Sequence, residues 1–381
     1  MRQIELCLNE HFHMKQLLQI AFLLTASSFL MSSCVVGKFV FYNFSDIRDH
    51  KKFPNRSVAK GSTTFLFPEA AKGKVPRSVT YKGKELPFED YLKRSNTVAF
   101  LIIQNDSIQY EQYFRGYDKA SVVPSFSMAK SFTSILIGCA IDDGLIKSVQ
   151  EPITNYVPEL KKNGLDNVTI EHLLQMTSGI RFKESYYNPF SGAANYYYGR
   201  HLRKKLGHMH LQQAPGRSFK YISGGSQLLG LVLERALKGK TISAYLSEKV
   251  WQPLEMEYDA SWSIDQKKNG MEKTFCCVNT VARDYAKIGR LYLNDGNWNG
   301  KQIVSKNWVK TSTSVDTSKG SAWYYQYQWW LPSKSGDFLA QGHLGQYIYV
   351  NPAKKLIMVR LGKNEGDVDW WMVFTSLAAG Y

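Results

Sequence analysis

Pro124-Ser125-Phe126-Ser127-Met128-Ala129-Lys130-Ser131-Phe132 opens a long apolar run and contains a Ser-x-x-Lys pattern. A serine hydroxyl keeps its proton at neutral pH, so it needs a base within hydrogen-bond reach to act as a nucleophile. On a helix, residues three apart share a face, with about 5–6 Å between Cβ atoms. Lys130 therefore falls one turn beyond Ser127, with its amine able to reach the hydroxyl. Phe132, Ile135, Leu136, Ile137, Cys139, Ala140 and Ile141 follow, and the run stops at Asp142-Asp143-Gly144. A helix apolar on nearly every side is a buried one, and Gly144 suits its C′ position. Burial at the start of such a helix strips solvation from a lysine and favours its neutral, basic form. Patterns this short also arise by chance, so the reading depends on what accompanies it.

Two later stretches do. Ala214-Pro215-Gly216-Arg217-Ser218-Phe219-Lys220-Tyr221-Ile222-Ser223-Gly224-Gly225 reads as an extended piece carrying Tyr221, then a glycine pair, then a helix. Leu228, Leu229, Val232, Leu233 and Ala236 give that helix its apolar face, and Lys238-Gly239 ends it. Ala340-Gln341-Gly342-His343-Leu344-Gly345-Gln346-Tyr347 reads as a strand running past glycines, where a ligand can approach the backbone closely. Taken singly, Tyr221 is equally an ordinary half-buried aromatic and His343 an ordinary strand-end histidine.

Together, Ser127-Met128-Ala129-Lys130, Tyr221-Ile222-Ser223 and His343-Leu344-Gly345 resemble the three motifs of the serine β-lactamase and penicillin-binding protein fold. The variant is closer to class C β-lactamases, D-aminopeptidases, esterases of that fold and aminohexanoate-dimer hydrolases. Leu173-Leu174-Gln175-Met176-Thr177-Ser178-Gly179-Ile180, Asn279-Thr280-Val281-Ala282-Arg283-Asp284-Tyr285-Ala286 and Asp295-Gly296-Asn297-Trp298-Asn299-Gly300-Lys301 resemble three further family stretches, in family order. The resemblance runs from about Val98 to the C-terminus. It implies a serine hydrolase with Ser127, Lys130 and Tyr221 as catalytic residues. It also implies backbone oxyanion donors at Ser127 and Gln346, and substrate contacts from Ser223, His343, Gly345 and a tyrosine at 186 or 187, with Tyr187 preferred over Tyr186.

The fold expected is α/β, or more strictly α+β. Residues 98–104 and 107–114 read as a hairpin about Asn105-Asp106. Strands are expected again at 325–331, 337–341, 346–350 and 356–361, with a closing helix at 367–379. Strands at both ends of a domain with helices between predict an antiparallel sheet flanked by helices. The family resemblance adds an all-helical region. The expected division is a signal peptide at 1–33, a lipidated N-terminus and linker at 34–60, and a hydrolase domain at 61–381.

That N-terminal expectation rests on a charge-free run from Gln16 to Gly37 with Lys15 before it, the pattern of an export signal. Met31-Ser32-Ser33-Cys34 resembles a bacterial lipobox, which makes Cys34 the lipidation site and the bacterial envelope membrane the location. An uncleaved anchor is the alternative, because a span needs ~20 apolar residues. The net charge of +16 over 381 residues suits anionic envelope polymers or lipid head groups. No nucleic-acid motif accompanies it, so no nucleic-acid partner is expected.

No Cys/His spacing suits a metal, and no cofactor is expected. Cys139 reads as packing, and Cys276 and Cys277, being adjacent, are not expected to bridge each other. The aromatics at 186–198 and 323–330 read as core packing, or as a pocket wall. The substrate expected is a small or peptide-like amide or ester. The rivals are a penicillin-binding D,D-peptidase or β-lactamase, and a non-catalytic binding module of the same fold.

Overall fold

The computed structural model describes Met14, residues 16–21 and residues 45–381 apart from Lys82, Tyr187 and Pro189. The expected signal peptide and Cys34 therefore lie almost wholly outside the described residues, as does Tyr187. The chain divides into two compact units, one of Asp46–Phe182 with His201–Tyr381 and a smaller one that includes Lys183–Arg200. Among the described residues, no helix is long and apolar enough to cross a membrane.

A seven-stranded antiparallel sheet joins the two ends of the larger unit. In chain order its strands are β1 (Thr97–Gln104), β2 (Ser107–Tyr113), β3 (Tyr325–Gln326), β4 (Trp329–Trp330), β5 (Phe338–Gly342), β6 (Gln346–Asn351) and β7 (Leu356–Gly362). Their spatial order is β3-β4-β5-β6-β7-β1-β2. Every residue of β7 is buried, as is β1 up to Ile103. Strands buried along both faces occur where helices cover both sides of a sheet.

Alternation along the strands assigns the faces. Tyr347, Tyr349, Leu356 and Met358 join one core with Phe100 and with Trp370, Val373 and Phe374 of the closing helix (Trp370–Ala379). On the other face, the helix Ala282–Leu293 packs Gly289 against Ile348, Val350 and Ile357.

The buried helix read from the sequence is α1 (Ala129–Asp142). Gly144 follows it at φ +71°, as a C′ residue should. Ser127 lies just before α1, in a 3-10 turn at Phe126–Met128. The helix read after Tyr221 is α2 (Ser223–Ala236); it begins at Ser223, ahead of the glycine pair rather than behind it.

Three expectations change. Residues 325–331 do not form one strand. They fold as the tight hairpin β3-β4, with Tyr327 and Gln328 at φ +39° and +70°. The buried Gln328 side chain dictates that bend: it accepts from Ser226 Oγ at 2.7 Å and donates to the Leu173 and Leu174 carbonyls. Part of the stretch assigned to the N-terminus and linker at 34–60 belongs to the fold. Asn55–Val58 pairs with Ala260–Ser263 in a second sheet that continues through Val278–Thr280 to Val123–Pro124. Finally, Cys276 and Cys277 are joined by a disulfide. The sequence rule against adjacent bridges weighs the isolated dipeptide alone, whereas here the bridge forms in a buried loop where Cys277 sits at φ +76°.

Candidate active site

The Ser127 hydroxyl is presented by an unusual turn. Phe126 before it has φ +44°, a region a bulky residue enters only when its surroundings force it, and one that is enriched at functional sites. The force comes from Ser125, which is fully buried. Its N–H donates to the Val278 carbonyl at 2.7 Å, and its hydroxyl accepts from the Val278 N–H at 3.0 Å. Pro124 is itself paired in the second sheet with Asn279. The turn is thus anchored to a strand far along the chain before the helix begins.

The Lys130 side chain is 1% exposed. Its amine donates to Ser127 Oγ at 3.0 Å, Ser223 Oγ at 3.2 Å and the Phe275 carbonyl at 2.8 Å. The nitrogen also lies 5.0 Å from the centre of the Tyr221 ring. An amine so placed can exchange a proton with the Ser127 hydroxyl. Tyr221 is half-buried, stacked on Trp330 at 5.4 Å and edge-on to Tyr325 at 5.9 Å. Its segment is fixed by the Leu173-to-Gly179 stretch: the Met176 carbonyl accepts from the Lys220 N–H at 2.8 Å.

The third motif is a hairpin turn between β5 and β6, not a continuous strand. Gly342 at its start touches the Ser127 turn; a Cβ there would come 2.1 Å from the Ser125 carbonyl. The partly buried His343 sets its ring edge-on to Phe126, with centres 5.7 Å apart. Burial pushes the His343 pKa below its ordinary value. Gly345 adopts φ +78° and leaves no room for a side chain, because a Cβ would meet Arg360 Nη1 at 1.9 Å.

Arg360, on β7, is fully buried and was not singled out from the sequence. It donates to the Gly345 carbonyl at 2.5 Å, the Ser95 carbonyl at 2.6 Å, the Asn364 carbonyl at 3.1 Å and Thr97 Oγ1 at 3.2 Å. Its guanidinium stacks on Trp370 at 3.9 Å. Burial pushes its pKa down to about 9, so it stays charged at neutral pH. In a trans peptide the carbonyl and the following N–H point opposite ways. Holding the Gly345 carbonyl therefore turns the Gln346 N–H away from the guanidinium. The Gln346 side chain completes the brace, donating to the Gly362 carbonyl at 2.7 Å and accepting from the Gly362 N–H at 3.1 Å.

Of the residues chosen from the sequence, Ser127, Lys130, Tyr221 and Ser223 meet at the Lys130 amine. His343, Gly345 and Gln346 share the turn that packs beside Ser125 and Phe126. Tyr186 belongs to the smaller unit, where its hydroxyl donates to Glu184 at 2.7 Å. Sequence reading missed Phe275, Ser125 and Arg360. The first acts through a backbone carbonyl, which leaves no side-chain trace. Arg360 alone was detectable, as a charge inside an otherwise apolar strand. Among the described residues, no group of His, Cys, Asp and Glu is arranged to hold a metal.

A buried lysine bonded to a serine three residues earlier, beneath an antiparallel sheet covered by helices, defines a serine hydrolase of the Ser-x-x-Lys class. The family model described as "Beta-lactamase" matches residues 88–369, and the chain belongs to that family. It is 28% identical to the 6-aminohexanoate-dimer hydrolase of Paenarthrobacter ureafaciens over 295 residues, covering 72% of this chain and 74% of that protein. A Bacillus anthracis structure assigned as a 6-aminohexanoate-dimer hydrolase superposes with a TM-score of 0.78 at 24% identity, covering 88% of this chain and 91% of that one. A penicillin-binding protein from Bacillus halodurans gives a TM-score of 0.61 at 18% identity, covering 77% and 99%. At those identities the two structures speak to the fold.

Proposed function

We propose that this hydrolase cleaves an amide or ester through an acyl-enzyme on Ser127. The observation that carries the reading is the 3.0 Å bond between Lys130 Nζ and Ser127 Oγ inside a buried site. Ser127 Oγ attacks the carbonyl carbon while Lys130 and Tyr221 together take its proton. The same pair returns the proton to the leaving nitrogen or oxygen as its bond to carbon breaks. Water then attacks the acyl-enzyme and restores the serine. The backbone N–H groups of Ser127 and Gln346 donate to the oxyanion, where such donors act most strongly. Ser223 steadies the lysine, and His343 and Gly345 border the substrate. The named activity of the Paenarthrobacter relative favours a short linear amide as substrate.

A fluorophosphonate probe tests this directly. The expected result is one adduct, on Ser127, absent in Ser127→Ala. No adduct with the probe or with a labelled penicillin would reject the hydrolytic reading in favour of a binding module. The probe pair also addresses β-lactams. In β-lactamases and penicillin-binding proteins, which carry Lys-Thr-Gly where this chain has His343-Leu344-Gly345, that lysine meets a substrate carboxylate, and the resemblance puts His343 in its place. Loss of one charge-assisted bond costs about 1.5–3 kcal/mol, or roughly 10- to 150-fold in binding. A short-chain nitrophenyl ester should therefore be cut with a higher kcat/KM than a chromogenic cephalosporin. The reverse order would make the protein a β-lactamase.

We further propose export as a lipoprotein through Cys34, supported by the uncharged leader run and the lipobox-like residues before it. Radiolabelled fatty acid should enter the parent and not Cys34→Ala. A mature chain that takes up no label would remove the proposal.

A further inference from the structure

Residues 273–278 run between the two halves of the nucleophilic pair, and the disulfide lies in the middle of that run. The Phe275–Cys276 peptide is engaged at both ends: its carbonyl accepts the Lys130 amine at 2.8 Å, and its N–H donates to the Lys273 carbonyl at 2.9 Å. The next carbonyl, of Cys276, accepts from Trp262 Nε1 at 3.0 Å, and the Cys277 carbonyl accepts from the Ser263 N–H at 3.0 Å. Val278 then exchanges two bonds with Ser125, two residues before the nucleophile. So the carbonyl that positions the base and the amide that positions the serine turn are separated by only Cys276 and Cys277. Both cysteines are buried, at 3% and 2% exposure.

A bond between adjacent cysteines closes a small ring over their shared peptide. It removes rotations that two free side chains and their backbone would keep. Cys277 holds φ +76°, a conformation that L-residues without such restraint rarely keep. Released, the two-residue link between the Phe275 carbonyl and Val278 regains backbone rotations that the ring removes.

We propose that the Cys276–Cys277 disulfide is a positioning device for the nucleophilic pair, fixing the Phe275 carbonyl so that the Lys130 amine points at Ser127. This rests on the serine-hydrolase reading given above. The two cysteines are positioning residues and touch no substrate. Forming the bond passes two electrons and two protons from the thiols to a disulfide oxidant. Reduction by a dithiol reverses this and oxidises the dithiol to its own cyclic disulfide. Because both sulfurs are buried, the bond is a fixed part of the folded enzyme rather than one that cycles at each turnover.

The test compares the parent with Cys276→Ser/Cys277→Ser and with Cys276→Ser/Cys277→Gly. Mass spectrometry of the peptide spanning the pair first establishes the bridge in the parent, as a loss of two hydrogens. Active sites are counted with the fluorophosphonate, and kcat is expressed per labelled site. Displacing a general base by about 1 Å can cost about 100-fold, so the double serine variant should lose at least about 10-fold in kcat, with KM within about two-fold. The acidic limb of its kcat/KM profile should also move, because the base has changed surroundings. A merely structural role would lower the number of labelled sites and leave that limb in place. The glycine variant guards against a folding defect: glycine accepts the Cys277 conformation, so it should regain thermal stability without regaining kcat. Variant kcat per site equal to the parent's, or a parent with free thiols, overturns the proposal. A bridged parent that takes no label on Ser127 overturns the hydrolase reading, and this proposal with it. A labelled parent with unimpaired variants overturns this proposal alone.

Discussion

Ser127 is approached from two sides that are built in different ways. On the helix side, Lys130 arrives by spacing alone: three residues on, one turn along, 3.0 Å away. On the turn side, His343, Gly345 and Gln346 arrive through the sheet, and their placement rests on Arg360, which ties β7 to the Gly345 carbonyl and to the Ser95 carbonyl ahead of β1. The helix side is local in sequence and carries the Ser127–Lys130 pair. The turn side is distant in sequence and carries mostly backbone groups, held by a buried cation. Substitutions on the first side should thus remove activity and spare the fold, whereas on the second they should impair both activity and fold.

The largest effect is expected from Ser127→Ala, which should lower kcat by at least about 10⁴-fold with an unchanged melting temperature; Lys130→Ala should come close to it, because residues acting as a unit are not additive. If the alanine variant keeps the parent's kcat, the helix side is not where the chemistry lies. Tyr221→Phe comes next. Loss of one proton-transfer group should cost about 10²- to 10⁴-fold, while the ring contacts with Trp330 and Tyr325 persist and hold stability near the parent's. A phenylalanine variant with full activity would leave Lys130 as the sole base.

Arg360→Met probes the other side. It leaves the buried Gly345 and Ser95 carbonyls without the guanidinium donor. At about 1–3 kcal/mol for each such group, stability should fall by about 2 kcal/mol or more, read by urea unfolding. Activity per folded molecule should fall as well, through the Gly345–Gln346 peptide. A variant as active and stable as the parent would show that the turn holds itself.

The smallest effect concerns His343. Burial lowers its pKa from the ordinary 6.5. Between the folded and unfolded values the unfolded chain binds more protons, so stability rises with pH there. The contribution is complete above pH 6.5 and is lost as pH falls below it. His50 and His172 are shifted the same way by burial and add to the trend. The melting temperature should drop between about pH 7 and pH 5, and His343→Gln should make the drop shallower. An identical slope would mean His343 titrates as it does in the unfolded chain.

Local elements were legible because their causes are local. The hairpin about Asn105 and Asp106 needs two residues at positive φ, and asparagine and aspartate tolerate that; they are observed at +52° and +60°. The bend at Tyr327 and Gln328 places two residues of the wrong type in the same region, so no turn rule could find it. Its cause is the bonding of Gln328 to Ser226, Leu173 and Leu174, all more than a hundred residues away. The adjacent cysteines misled for a similar reason. A rule for isolated dipeptides does not see a loop pinned at Trp262, Ser263 and Ser125.

The sequence by itself determined the order of the motifs, the buried character of α1 and the pairing of Ser127 with Lys130, because helical spacing and apolar patterning act over a few residues. Only the tertiary structure decided what the lysine meets. Ser223 lies 93 positions from it and Phe275 lies 145 positions from it. A buried amine must have acceptors for its protons, but many oxygens along the chain could satisfy it. Which ones do so depends on the sheet and helices closing around α1, and the same closure brings the Arg360 clamp and the cysteine loop to the two sides of one hydroxyl.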